Sequence, residues 1–255
     1  MAKGTLQEDE NSLVLSFLAV RQALGILGFA LPVSLLIYAG VSGNGLEPSI
    51  SDFYYTAMGD VLVGILCAIG VFLITYRGYA AEKGEKLSDK WVSRIAGAAA
   101  IGVALFPMVQ TGKPPCTAPE CPTTGFTGHW SFLHFGSALV FFVCLALFCL
   151  VLFQRTGGTT APDQQKLSSN KIYTRCGWVI VGALVALALV FLTYDNGDEA
   201  TRKIIDESEL VFWLEAIGVF AFSISWLVKG QTLRAVKALV ATTAARFGSA
   251  RAPKP

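Results

Sequence analysis

The sequence predicts an all-α membrane protein, a polytopic bundle of six transmembrane helices with both termini in the cytoplasm. Apolar residues make up 53% of the chain and charged residues only 15%, whereas a soluble domain carries about 25% charged residues to cover its surface. Six windows are long and apolar enough to cross a bilayer. The segments that separate these windows alternate between many and few Lys and Arg residues, which sets the orientation.

The six windows lie at residues 22–41, 59–77, 91–110, 130–153, 175–194 and 209–228. Each comes close to the 20 or so mainly apolar residues that cross roughly 30 Å of hydrocarbon. Residues 1–21 form a cytoplasmic segment with an interfacial helix at 12–20, and residues 22–230 form the transmembrane domain. The basic tail at 231–255 either lies on the inner leaflet as a partly amphipathic helix or frays.

Basic residues predict which side each connecting segment occupies, because cytoplasmic loops retain Lys and Arg. Of the 20 Lys and Arg residues, 17 fall at the N-terminus, in the second and fourth loops and in the tail, and only Lys113, Arg202 and Lys203 fall elsewhere. The acidic residues gather on the opposite, outer side. This outer face either attracts cations or basic partners, or simply collects acids where Lys and Arg are excluded.

Three ionisable side chains lie in or beside the windows, near the outer surface. Glu215 lies about two turns into the sixth window, His134 about one turn into the fourth, and Asp60 opens the second. Such groups are costly in lipid, so each is a candidate functional residue. We interpret them as an outward-opening polar pocket that binds a headgroup, a cation or protons. The candidate ligand-binding residues of the pocket are Glu215, His134, Asp60, Tyr54, Tyr55 and Ser225.

A purely structural interpretation of the same residues is also open. Glu215 and His134 could form a satisfied pair that links two helices, and Asp60 could be an interfacial helix cap. The helix at 91–110, rich in Ala and Gly, is expected to be central, because small residues let neighbouring helices approach closely in lipid.

The cysteines fall into two groups. Cys116 and Cys121 lie five positions apart in the Pro-rich third loop, which the topology places in an oxidising compartment, so we expect a disulfide between them. A metal site is not expected there, because His129 is the only other ligand nearby. The remaining cysteines lie in or beside the windows and are interpreted as packing residues: Cys67, Cys144, Cys149 and Cys176.

Several motifs resemble a group of uncharacterised bacterial six-span membrane proteins. They are SISDFYYT at 49–56, DVLVG at 60–64, YRGY at 76–79, VALFP at 103–107, YTRCG at 173–177 and SWLVKG at 225–230. The resemblance covers residues 20–230 and implies the same six-helix fold in a bacterial inner membrane, without implying an activity. In layout, the chain is more distantly similar to the DRAM-like membrane proteins of eukaryotes.

Three functions fit these features. The first is binding of a lipid or small amphiphile in an outer-leaflet polar pocket. The second is a cation- or proton-coupled transporter or channel that uses Glu215. The sequence shows no inverted repeat, which makes a transporter less favoured. The third and least favoured is a membrane hydrolase, because His129 and His134 are the only histidines and no nucleophile elbow is present. We expect no cofactor, metal or nucleic acid, and membrane lipids as partners; a homo-oligomer is left open.

The topology predicts which loops a membrane-impermeant thiol reagent reaches. Single cysteines placed at 80–90 should be labelled from the cytoplasm, and those at 43–51 from outside, because their Lys and Arg content differs. Labelling of both loops from the same side would contradict the six-span topology.

Overall fold

The computed structural model describes residues 2–76, 78, 87–108, 131–155 and 164–231. These residues are mainly α-helical and include no strand, so the prediction of an all-α bundle is confirmed for this part of the chain. The elements in chain order are α1 (Ala2–Ser42), a 3-10 helix (Ser51–Tyr55), α2 (Gly59–Thr75), α3 (Asp89–Leu105), α4 (Ser131–Leu147) with a π-helical continuation (Phe148–Leu152), α5 (Gln164–Asn196), α6 (Glu199–Glu207) and α7 (Leu210–Lys229).

Each predicted window contains a helix, but the structure differs from the prediction at the start of α5, at the end of α3 and in the additional helix α6. Helix α5 begins at Gln164, well before the window at 175–194. Helix α3 ends at Leu105 and Phe106 leaves the helical conformation, with φ −109° and ψ 85°. The following Pro107 explains this end, because the residue before a proline is disfavoured in the α region. Helix α6 lies in a segment that was predicted to be a loop.

The N-terminal residues form one uninterrupted helix with the first window. Helix α1 runs from Ala2 to Ser42 and contains Pro32, with no break between residues 12–20 and the first window. Cys116, Cys121 and the tail at 232–255 lie outside the described residues, so the disulfide and the amphipathic tail stay predictions. Cys67, Cys144, Cys149 and Cys176 are free thiols.

Four helical stretches are long and apolar enough to cross a membrane: Leu18–Ser42, Ser131–Leu152, Lys166–Asn196 and Leu210–Lys229. Helix α2 is apolar but only 17 residues long, and α3 has the same length. The long helices expose large apolar side chains, among them Ile37, Phe132 and Leu192. A soluble protein rarely exposes so much apolar surface, so the described bundle is suited to a membrane.

Six helices pack as a ring in which each contacts the helix before and the helix after it. The order is α1, α2, α3, α4, α5 and α7, and α7 closes the ring against α1. The expected central helix, α3, is instead a ring member between α2 and α4. Its small residues still permit close approach, because a Cβ on Gly97 would lie 2.5 Å from the carbonyl oxygen of Gly70 in α2.

The ring has two hydrophobic cores, one toward each end. At the end that we call the Trp226 end, aromatic rings surround Trp226: Phe153, Tyr76 and Phe148 have ring centres within 5.0–5.4 Å of it. At the opposite end, which we call the Glu215 end, the core is mainly aliphatic and includes Phe53 and Phe212. The candidate site lies at the Glu215 end.

Candidate ligand-binding site

Residues 48–53, which we call the inserted segment, leave the surface and enter the Glu215 end of the ring. Residues 49–53 are all buried, and the Phe53 ring packs against Tyr38 of α1 and Phe212 of α7. The segment was predicted to belong to an exposed loop at 43–51. Only residues 43–45 of that loop are fully exposed, because Ile50 and Phe53 provide apolar side chains that join the core.

A buried backbone must have its polar groups hydrogen-bonded, and α7 supplies two of the partners. The backbone N–H of Ile50 donates to the Glu215 carboxylate at 2.8 Å. The backbone N–H of Phe212 donates to the Pro48 carbonyl at 2.9 Å. The second bond satisfies one of the N–H groups that a helix leaves unpaired in its first turn. The inserted segment and the start of α7 therefore stabilise each other.

His134 of α4 joins the inserted segment to the end of α3. Its Nδ1 lies 2.7 Å from the Phe106 carbonyl, and its Nε2 lies 3.0 Å from the Ser51 hydroxyl. A carbonyl can only accept, so Nδ1 carries the proton and, in the neutral ring, Nε2 accepts from Ser51. The Phe106 carbonyl is available because α3 ends before Pro107, which ties the position of His134 to that proline.

Asp52 is a fully buried carboxylate that the sequence reasoning left among the outer loop acids. The Ser49 hydroxyl donates to its carboxylate at 2.9 Å, and the Asp52 N–H donates to the same hydroxyl oxygen at 3.1 Å. This local arrangement lets an acidic residue enter the bundle. The only sequence signal was the Ser-x-x-Asp spacing within an otherwise weakly polar segment.

Beside the inserted segment lies a cavity of about 550 Å³ between α4, α5, α6 and the start of α7. Its size falls in the range of small-molecule binding sites. Most of its lining is apolar, and its polar lining residues are Ser49, Ser131, His134, Tyr194, Asp195, Asp206 and Glu215.

Helix α6, which the sequence reasoning missed, shapes the mouth of the cavity. Arg202 donates from Nε to the Tyr194 carbonyl at 3.0 Å and from a terminal nitrogen to the Asp195 carbonyl at 3.3 Å, which satisfies carbonyls at the end of α5. The Tyr194 hydroxyl reaches Asp206 at 3.5 Å. Partial burial raises the pKa of Asp206, and the charges of Asp52 and Glu207 act in the same direction, while the bond from Tyr194 opposes them.

The structure brings two of the six predicted ligand-binding residues to this cavity, Glu215 and His134. They are not hydrogen-bonded to each other; instead they bind consecutive residues, Ile50 and Ser51. The direct pair of the structural interpretation is thus replaced by a shared partner segment.

The other four predicted ligand-binding residues do not line the cavity. Asp60 is exposed in the first turn of α2, and Ser225 is buried with its hydroxyl on the Phe222 carbonyl. The Tyr55 hydroxyl donates to the Met108 carbonyl, and the Tyr54 ring packs at 5.2 Å from the Tyr55 ring. Tyr55 therefore fixes the backbone of Met108, which does line the cavity.

The contact between Ser51 and His134 has the distance of a nucleophile and its base. Ser51 is buried, however, and is not part of the cavity lining. The ring is oriented by a backbone carbonyl and Ser51 sits in the inserted segment, so the contact holds the segment to α4. Within the described ranges, no three His, Cys, Asp or Glu side chains converge as metal ligands.

No family model, curated protein or solved structure matches this chain. The resemblances suggested by the sequence motifs therefore stay predictions.

Two substitutions at Glu215 test its hydrogen bond to Ile50. Glu215→Leu should lower the free energy of unfolding by about 1–3 kcal/mol, because it leaves a buried N–H without an acceptor. Glu215→Gln keeps a carbonyl oxygen for the same bond and should cost much less. Thermal unfolding of the purified protein measures both, with the exposed Asp60→Leu as a control. An equal loss for Gln and Leu would contradict this role of Glu215.

Proposed function

We propose that α1, α2, α3, α4, α5 and α7 each cross the bacterial inner membrane, with both termini in the cytoplasm. The closed ring supports this, since all six helices share one bundle. Basic side chains at the Trp226 end also support it: Arg21 donates to the Tyr76 hydroxyl at 3.2 Å, and Lys166 and Lys229 both donate to the Phe153 carbonyl. In this orientation, the Glu215 end faces outward.

We propose further that the cavity binds a lipid or another small amphiphile, with its polar group at the Glu215 end. A polarity gradient along two helices carries this proposal. In α5 the lining side chains change from apolar Leu184, Leu187 and Phe191 to polar Tyr194 and Asp195. Residues 184 and 195 are about 16 Å apart along a helix that rises 1.5 Å per residue.

The same gradient runs along α4, which lines another side of the cavity. Ser131 and His134 lie toward the Glu215 end, and Phe135, Leu139 and Phe142 follow away from it. Two lining helices thus place polar groups at one end and apolar groups beyond them. A ligand that matches both has a polar head and an apolar tail that together are on the order of 16 Å long.

A transporter or channel that uses Glu215 is the second candidate, because this carboxylate faces the cavity. Continuous transport would need a polar path toward the other end of the bundle. The aromatic core around Trp226 fills that end, with Trp226, Phe148 and Phe153 fully buried. This packing favours binding over conduction.

Filling the cavity should abolish binding without changing the polar end. Ala138 of α4 lines the cavity, so Ala138→Phe should displace a tail from it. Val140 of the same helix is 41% exposed and does not line the cavity, so Val140→Phe is the matched control. Native mass spectrometry should find an amphiphile retained by the wild type and by Val140→Phe and lost from Ala138→Phe. Equal retention by all three would contradict the proposal.

A further inference from the structure

We infer that the headgroup of this amphiphile is cationic, an amine or quaternary ammonium group. The inference rests on the proposed function and names the class of ligand that the same cavity selects. Three carboxylates carry it: Asp195 at the end of α5, Asp206 in α6 and Glu215 in α7 all line the cavity.

No positive side chain balances these carboxylates from within the cavity. Among the described residues that line it, none is a Lys or an Arg. None of the three carboxylates forms an ion pair with a described residue, and Lys203, the nearest lysine in sequence, is instead 3.7 Å from Glu207. Arg202 approaches the mouth, but its guanidinium donates to backbone carbonyls of α5. The cavity is therefore acidic over its polar end.

Glu215 is placed to contact a ligand while it holds the inserted segment. Its Oε2 accepts from the Ile50 N–H, and the side chain is only partly buried and lines the cavity. The second carboxylate oxygen is therefore available to a hydrogen-bond donor or a positive charge.

Aromatic rings next to the carboxylates favour an ammonium group over other donors. Phe135 and Phe191 line the cavity between its polar and apolar parts, and their rings are 5.5 Å apart with their planes at 77°. The Tyr194 ring already has the Arg202 guanidinium 5.8 Å from its centre. Aromatic faces beside carboxylates are the usual surroundings of ammonium ligands in proteins, through cation–π attraction. An anionic head would meet carboxylates of like charge at this end of the cavity.

Three probes with the same ten-carbon tail separate the headgroup from the tail: decyltrimethylammonium, decanol and decane sulfonate. Binding of each is measured by equilibrium dialysis with full-length protein in nanodiscs of a zwitterionic phospholipid. Ala138→Phe provides the background, because its cavity is filled, and only binding in excess of it counts as cavity binding. We expect decyltrimethylammonium to bind the cavity at least about tenfold more tightly than either other probe.

Glu215→Gln tests the charge itself, since it retains an acceptor for Ile50. It should weaken decyltrimethylammonium binding by about tenfold and leave decanol binding unchanged, whereas Asp60→Asn, outside the cavity, should alter neither. Equal cavity binding of all three probes would overturn the cationic headgroup and leave amphiphile binding intact. If no probe binds in excess of the Ala138→Phe background, the proposed function itself is wrong.

Discussion

The structure depends on one constraint: a stretch of irregular backbone enters a helical ring, and its polar groups must be satisfied there. Non-helical backbone is tolerated at membrane depth only where protein partners supply its hydrogen bonds. Here Glu215 accepts from Ile50 and the Phe212 N–H binds Pro48. His134 bonds to Ser51 and to the carbonyl of Phe106, the residue that follows α3. Without these partners, burial of the segment would leave its backbone polar groups unsatisfied.

The inserted segment also determines where the cavity lies. The inserted segment occupies the ring beside α1 and α2 through Phe53 and Ile50, while the space between α4, α5 and α7 stays open. Glu215 stands between the two, with one oxygen committed to the segment and its side chain also facing the cavity. A ligand that binds the carboxylate would therefore also affect the group that holds the inserted segment. The proposed binding would thus be coupled to local stability through one residue.

Composition and the apolar windows predicted the helices well, because a run of apolar side chains is a local feature of the sequence. Glu215 and His134 also stood out, since ionisable groups are rare in apolar windows. Their partners did not, because an Ile50 N–H carries no residue-type signal and Asp52 looked like an ordinary loop acid. Helix α6 was also missed. Its Asp198 cap accepts from Thr201 at 2.9 Å, but the segment is short and was interpreted as a loop. Asp60 was predicted to belong to the pocket but does not line the cavity. Its depth could be estimated from the sequence, whereas the side of α2 that it faces could not.

Amide hydrogen exchange at residues 46–55, followed by mass spectrometry of full-length protein in nanodiscs, measures directly whether the inserted segment is buried and hydrogen-bonded within the ring. Buried and hydrogen-bonded amides open rarely and exchange slowly. We expect residues 49–53 to exchange far more slowly than the exposed turn at 43–45. We also expect Glu215→Leu to remove much of this protection, while Asp60→Asn should not. Exchange at 49–53 as fast as at 43–45 in the wild type would contradict the burial of the inserted segment.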